Sequence, residues 1–189
     1  MAEKVRQKPA TWEDIAALPE GENVEIIAGE ISATPRSRPR HGRAQMVVSR
    51  DVGGPFDIDG DPGGWWIVVE PEIELSRHDV YIPDLAGWRR ERVPVLPEDV
   101  PLRIVPDWVC EVVSPSTGRR DRVAKAHGYL RAGVPFYWLL DLEARLLEAL
   151  AARDGFWLRL GAWTDGDRAR IPPFDAIELA VGRFFPPLQ

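Results

Sequence analysis

The chain has 189 residues, with 44% hydrophobic and 29% charged residues and a formal net charge of −6. That balance suits one soluble domain with a sizeable core, and the acidic pI of about 5.2 argues against a chain whose main task is holding nucleic acid. No apolar run approaches the roughly 20 residues of a spanning helix, and Met1 to Lys8 is polar without an apolar signal region, so a cytoplasmic protein is expected. The single Cys110 excludes an internal disulfide.

Residues 1–9 read as an N-terminal tail and 10–189 as a single domain. Thr11 to Leu18 predicts a short helix with Thr11 as N-cap. Val24 to Ala33 predicts a strand pair turning at Ala28-Gly29. Thr34 to Arg40 is a Pro-broken loop, and His41 to Val52 a helix with an apolar stripe of Ala44, Val47 and Val48. Gly53 to Gly64, rich in Gly, Pro and Asp, predicts a loop. Asp57, Asp59 and Asp61 there mimic the start of a calcium loop, but Pro62 and Val68 occupy the places of its glycine and glutamate, so that reading is rejected.

Trp65 to Leu75 predicts a strand with a Pro break, and Val80 to Trp88 a second strand. Glu91 to Pro106 reads as a surface loop. Asp107 to Ser114 predicts a central apolar strand, Thr117 to Ala132 a helix ended by Gly133, and Val134 to Asp141 a buried strand. This strand-helix-strand unit predicts a right-handed crossover between parallel strands. Hairpin strands and a short terminal segment follow from Leu142 to Phe185. The sum is an α/β (α+β) domain: a mixed sheet with helices packed on it.

Three acids, Glu72, Asp84 and Glu111, lie in or beside apolar strands. A charge in a buried strand is costly unless paired or metal-bound. Hard cations such as Mg²⁺ take one or two carboxylates plus waters, so a shared cation site competes with solvated or Arg-paired acids at strand edges. Alternation puts Glu111 and Val113 on one face and Cys110 and Val112 on the other, which makes Cys110 a core residue.

The chain has 21 Arg and three Lys, and Lys125 is the one lysine in its body. A lysine is a compact charge that can lose its proton, which arginine cannot. Asp121, Lys125 and Tyr129 share a helix face, either as a functional group or as an exposed pair worth a few tenths of a kcal/mol. His41 with Arg36, Arg38, Arg40 and Arg43 reads as a phosphate-binding patch or a solvated loop. His78 and His127 lack ligand spacing, and the tryptophans read as core.

The segments VEIIAGEI, GGWWIVVEPEIEL, YIPDLAGWRRER and EVVSPSTGRRDRVAKAHGYLRAGVPFYWLLD occur in an order that resembles the Uma2 family, within the PD-(D/E)XK nuclease superfamily, over roughly residues 10 to 185. The resemblance implies a restriction-endonuclease-like fold and Mg²⁺-dependent (or Mn²⁺-dependent) endonuclease cleavage of phosphodiester bonds in nucleic acid, DNA above all. Pro83-Asp84 resembles the superfamily's PD, and Glu111 its second acid. The usual lysine place holds Val113, and the resemblance implies that Lys125 takes over its role. Glu72 is implied as a further ligand or water-orienting base, and Glu25 as an acid of the first strand. The expected metal set is therefore Asp84, Glu111 and Glu72, with Lys125 beside it. The alternative is an inactive nuclease-fold module that binds nucleic acid or protein. The apolar outer strands LLEAL and WLRLGAW predict pairing between chains, hence a homodimer.

Overall fold

The structure is a computed structural model that describes residues 8–19, 24–33, 38–113, 118 and 120–187. The tail up to residue 7, Arg36 and the Ser114 to Thr117 block lie outside the described residues.

Helix α1 (Trp12–Ala16) starts at Thr11, whose backbone and hydroxyl both bond the Asp14 carboxylate. Strands β1 (Val24–Ile27) and β2 (Glu30–Ala33) form the expected hairpin. Ala28 and Gly29 both take left-handed backbone, φ 51° and 81°, as a tight two-residue hairpin turn requires. A Cβ on Gly29 would lie 2.7 Å from that of Pro9, so only glycine fits.

Helix α2 (Pro39–Val48) buries Ala44, Val47 and Val48, the expected stripe. The segment after it corrects the loop expectation for Gly53 to Gly64, because Ser49–Ile58 continues as a wider π-type helix. Its Asp59 N–H bonds the Gly54 carbonyl five residues back at 2.8 Å. Pro55 has no N–H to donate, and burial of Val52 and Phe56 holds the segment on the core despite its Gly and Pro content. Sequence punctuation was outweighed here by tertiary packing.

The two strands expected on either side of His78 each split. β3 (Trp65–Val69) and β4 (Ile73–Ser76) are separated at Pro71, and β5 (Asp79–Tyr81) and β6 (Leu85–Arg89) at Pro83. Proline removes a ladder donor, and the chain uses both breaks to change sheets. β4 and β5 join β1 and β2 in a small sheet, ordered β2-β1-β5-β4. β3 and β6 enter a six-stranded sheet with β7 (Trp108–Val113), β8 (Phe136–Asp141), β9 (Leu146–Arg153) and β10 (Phe156–Trp163), ordered β10-β9-β8-β7-β6-β3.

β7 and β8 are parallel, and the other pairs of the large sheet are antiparallel. Between β7 and β8 the chain runs through a π-type turn, Arg120–Lys125, into α3 (Ala126–Ala132). Gly133 closes α3 at φ 86°. Short strands β11 (Arg168–Ala169) and β12 (Leu179–Ala180) and a 3₁₀ turn, Val181–Phe184, complete the order.

The large sheet is covered on both faces. Cys110, Val112, Trp138 and Leu140 pack with α2, Phe56, Phe174 and Phe184 on one side. Val109, Val113, Tyr137 and Leu139 pack with Tyr129, Tyr81 and Trp88 on the other. Cys110 is thus a core residue, and Trp65, Trp88, Trp108 and Trp138 are buried core as expected. α3 can lie close to β5 because Gly128 faces Tyr81; any Cβ there would overlap the tyrosine hydroxyl. Among the described residues, no helix is long and apolar enough to cross a membrane.

Candidate active site

The site forms where the two sheets meet. Ile82 to Asp84 carries the chain from β5 to β6, and the antiparallel register Leu85↔Cys110 places Asp84 across from Glu111. Asp84 Oδ2 accepts a 2.6 Å hydrogen bond from the Val112 backbone N–H, and its Oδ1 lies 2.6 Å from Nε2 of His41 on α2. Burial lowers the His41 pKa, but the Asp84 hydrogen bond and charge outweigh it and leave the ring above its ordinary value.

Glu111 sits in the middle of β7, 3% exposed. Its Oε1 lies 2.6 Å from Lys125 Nζ and accepts a 2.7 Å hydrogen bond from the Tyr129 hydroxyl. Its Oε2 accepts no hydrogen bond among the described residues. Burial pushes the Glu111 carboxyl up and Lys125 pulls it down, while Asp121, Asp84 and Glu25 push it up again, to about 8.

Lys125 is 1% exposed and reaches a second carboxylate, Glu25 Oε1 on β1, at 2.8 Å. Burial disfavours its charge, but Glu111, Glu25 and Asp121 together raise its pKa above the ordinary lysine value. Glu25 shows the complementary effect. Burial raises its carboxyl, and the Lys125 charge and hydrogen bond, the Arg120 charge and the Ile82 N–H together outweigh this and leave the pKa lowered. Arg120 closes the group, 3.4 Å from Glu25 Oε2 and 3.6 Å from Asp121 Oδ1.

The structure therefore brings together Asp84, Glu111 and Lys125, with Glu25 behind them. The face shared by Asp121, Lys125 and Tyr129 is buried, not an exposed ion pair. Glu72 is placed apart. Its backbone carbonyl accepts the Leu102 N–H, and burial raises its carboxyl, with no charged neighbour contributing among the described residues.

Three residues were not assigned to Asp84 from the sequence. His41 was read as part of a basic patch. Gln45, buried on α2, donates Nε2 to the Asp84 backbone carbonyl at 2.9 Å and to Glu70 Oε1 at 3.2 Å. Glu70 donates its own N–H to the same carbonyl at 3.1 Å, with φ 49°. A left-handed non-glycine residue costs about 1 kcal/mol or more and is tolerated where the surroundings fix it. Glu70 follows an apolar strand and precedes Pro71, but nothing local there points to Asp84, and Gln45 gave no signal either.

Among the described residues, no three or more His, Cys, Asp or Glu are grouped to hold a metal. The pair Asp84 and Glu111 nonetheless fits a hard cation. Its donors are carboxylate oxygens, one of them without a hydrogen bond, and the surrounding acids favour added positive charge. Two carboxylates with the remaining positions left to water is an ordinary Mg²⁺ arrangement.

The chain is an α+β protein with a mixed sheet covered on both faces, an acid pair at the sheet junction and a buried lysine beside it. Its backbone matches the crystal structure, at 1.96 Å resolution, of a protein from Anabaena variabilis ATCC 29413 described as a "putative nuclease belonging to DUF820". The TM-score is 0.74, over 94% of this chain and 98% of that one, at 19% identity. The chain belongs to the Uma2 family, described as "putative restriction endonuclease", whose model matches residues 12–182. No curated protein matches it.

Proposed function

We propose that the chain is a divalent-cation-dependent nuclease that hydrolyses phosphodiester bonds in DNA. The observation that carries this reading is the meeting of Asp84, Glu111 and Lys125 at one point, from a strand junction, a strand and a helical turn. Asp84 and Glu111 would hold Mg²⁺ or Mn²⁺. Such a cation supplies Lewis-acid stabilisation of the charge that builds on the phosphate.

The chain's own residues set the frame. His41 and the Val112 N–H fix the Asp84 carboxylate between them. Tyr129 fixes Glu111 Oε1, and Oε2 is without a hydrogen bond among the described residues. Lys125 supplies a permanent positive charge that needs no reorganisation as the reaction proceeds, the condition under which electrostatic stabilisation is most effective. Glu72 has no part in this arrangement.

A rival reading, a binding module that keeps the fold without cleaving, draws on one observation: Glu111 Oε1 is already engaged by Lys125 and Tyr129. Incubation of the chain with supercoiled plasmid and with single-stranded DNA and RNA, under Mg²⁺ or Mn²⁺, separates the two. Cleavage that disappears in Asp84→Ala supports the nuclease. Cleavage retained in that variant, or cation-independent binding without product, sinks it.

A further inference from the structure

Glu25 has no assigned role in the reading above, yet it is among the most buried charged groups of the molecule, at 0% exposure. It belongs to β1 of the small sheet, whereas Glu111 belongs to the large one and Asp84 to the link between the two. Both of its oxygens face protein donors. Oε1 accepts the Ile82 backbone N–H at 2.8 Å and lies 2.8 Å from Lys125 Nζ. Oε2 faces Arg120 at 3.4 Å. Lys125 in turn donates to the Ile82 carbonyl at 3.4 Å. Ile82, which leads through Pro83 into Asp84, thus donates its N–H to Glu25 and accepts at its carbonyl from the lysine that Glu25 holds.

We infer that Glu25 is a positioning residue, which fixes Lys125 and the Ile82–Asp84 segment in one frame and is not itself a cation ligand. The inference rests on the nuclease reading for its consequence in catalysis, but its geometry stands independently. An ammonium held between Glu25 and Glu111 is fixed at two points. Held by Glu111 alone, it can swing on a flexible four-carbon stem. Glu25 also anchors Ile82, but the Asp84 carboxylate keeps its own bonds to the Val112 N–H and His41, so loss of Glu25 frees the lysine first. Both oxygens of this fully buried carboxylate face protein donors, which distinguishes it from Glu111 with its unbonded Oε2.

The test is Glu25→Gln in the full chain, which keeps the shape and removes the charge. With ¹⁵N-labelled lysine the chain has only three ammonium groups, at Lys4, Lys8 and Lys125. In the wild type, Lys125 gives a slowly exchanging ammonium signal, because it is buried and bonded. In the variant that signal shifts and broadens by exchange. Turnover, kcat, falls by about 100-fold, the cost of a misplacement on the order of 1 Å, with KM unchanged. The affinity for Mg²⁺ alone, read by calorimetry, stays within about twofold.

An unmoved lysine signal with unmoved kcat overturns the inference. So does collapse of Mg²⁺ affinity with the lysine signal intact, because it would make Glu25 a ligand. If the wild type cleaves no nucleic acid while the signal still moves, the nuclease reading fails and the positioning role stands. Should Glu25→Gln fail to fold, Glu25→Asp serves. It keeps the charge but withdraws it by one methylene, and the lysine signal must still move.

Discussion

Lys125 Nζ lies 2.6 Å from Glu111 Oε1, although one residue comes from a helical turn above the sheet and the other from the central strand beneath it. Both side chains are almost wholly buried. Removing the lysine leaves the buried Glu25 carboxylate without its counter-ion and takes a bond from Glu111 Oε1, and breaking a buried pair typically costs about 3–5 kcal/mol. Lys125→Met should therefore unfold at markedly lower denaturant concentration than the wild type. A loss below about 1 kcal/mol, the scale of an exposed pair, would show that the contact is not held in solution.

Cation binding should compete with protonation of Glu111. Its folded carboxyl is pushed up to about 8, from an ordinary value of 4.5. The folded state therefore holds a proton that the unfolded state releases, and this group's contribution to stability falls as pH rises between those values. Mg²⁺ affinity should rise with pH until about 8, by up to about tenfold per unit. At pH 7 binding should release a proton, seen as a calorimetric enthalpy that depends on the buffer. Affinity flat from pH 6 to 9 would remove Glu111 as a ligand.

The His41 ring should titrate above 6.5 by NMR, and Asp84→Asn should bring it down. A histidine whose folded pKa is raised stabilises the fold fully below 6.5 and loses that contribution as pH climbs through the folded value. A ring that titrates identically in wild type and variant would mean that the 2.6 Å contact does not form.

β10 is an edge of the large sheet, and it exposes Phe156, Leu158 and Leu160. An exposed apolar edge invites pairing with a second copy, and an edge lysine opposes it. If the chain is a homodimer through this edge, Leu158→Lys should halve the mass read by light scattering and leave the fold intact. A one-chain mass for the wild type would dispose of the dimer.

Much of this fold was legible because local signals agreed with packing. The hairpin at Ala28-Gly29, the core side of Cys110 and the parallel unit around α3 all follow from periodicity and turn chemistry. Two things were hidden. Proline breaks at Pro71 and Pro83 were visible, but not that the chain changes sheets there, because partner choice depends on distant strands. Likewise Asp84 and Glu111 stood out as acids in apolar strands, whereas His41, Gln45 and Glu70 carry no local mark of their shared neighbour. Glu72 was the acid singled out beside Pro71, yet Glu70 is the one whose backbone N–H bonds Asp84, a choice made by the chain's turn at the strand end.

Val113 fills the core beside Val109 and Leu139, and the lysine charge arrives from the helical turn instead. A lysine on the strand would travel with its acid as one rigid body. A lysine on a separate element moves when that element moves, so a small slide of α3 across the sheet would open the 2.6 Å contact, and the Tyr129 bond to the same oxygen with it, while the strand register stays as it is. The arrangement makes the seating of a single short helix, rather than strand register, the mechanical setting on which the charge balance of the site depends.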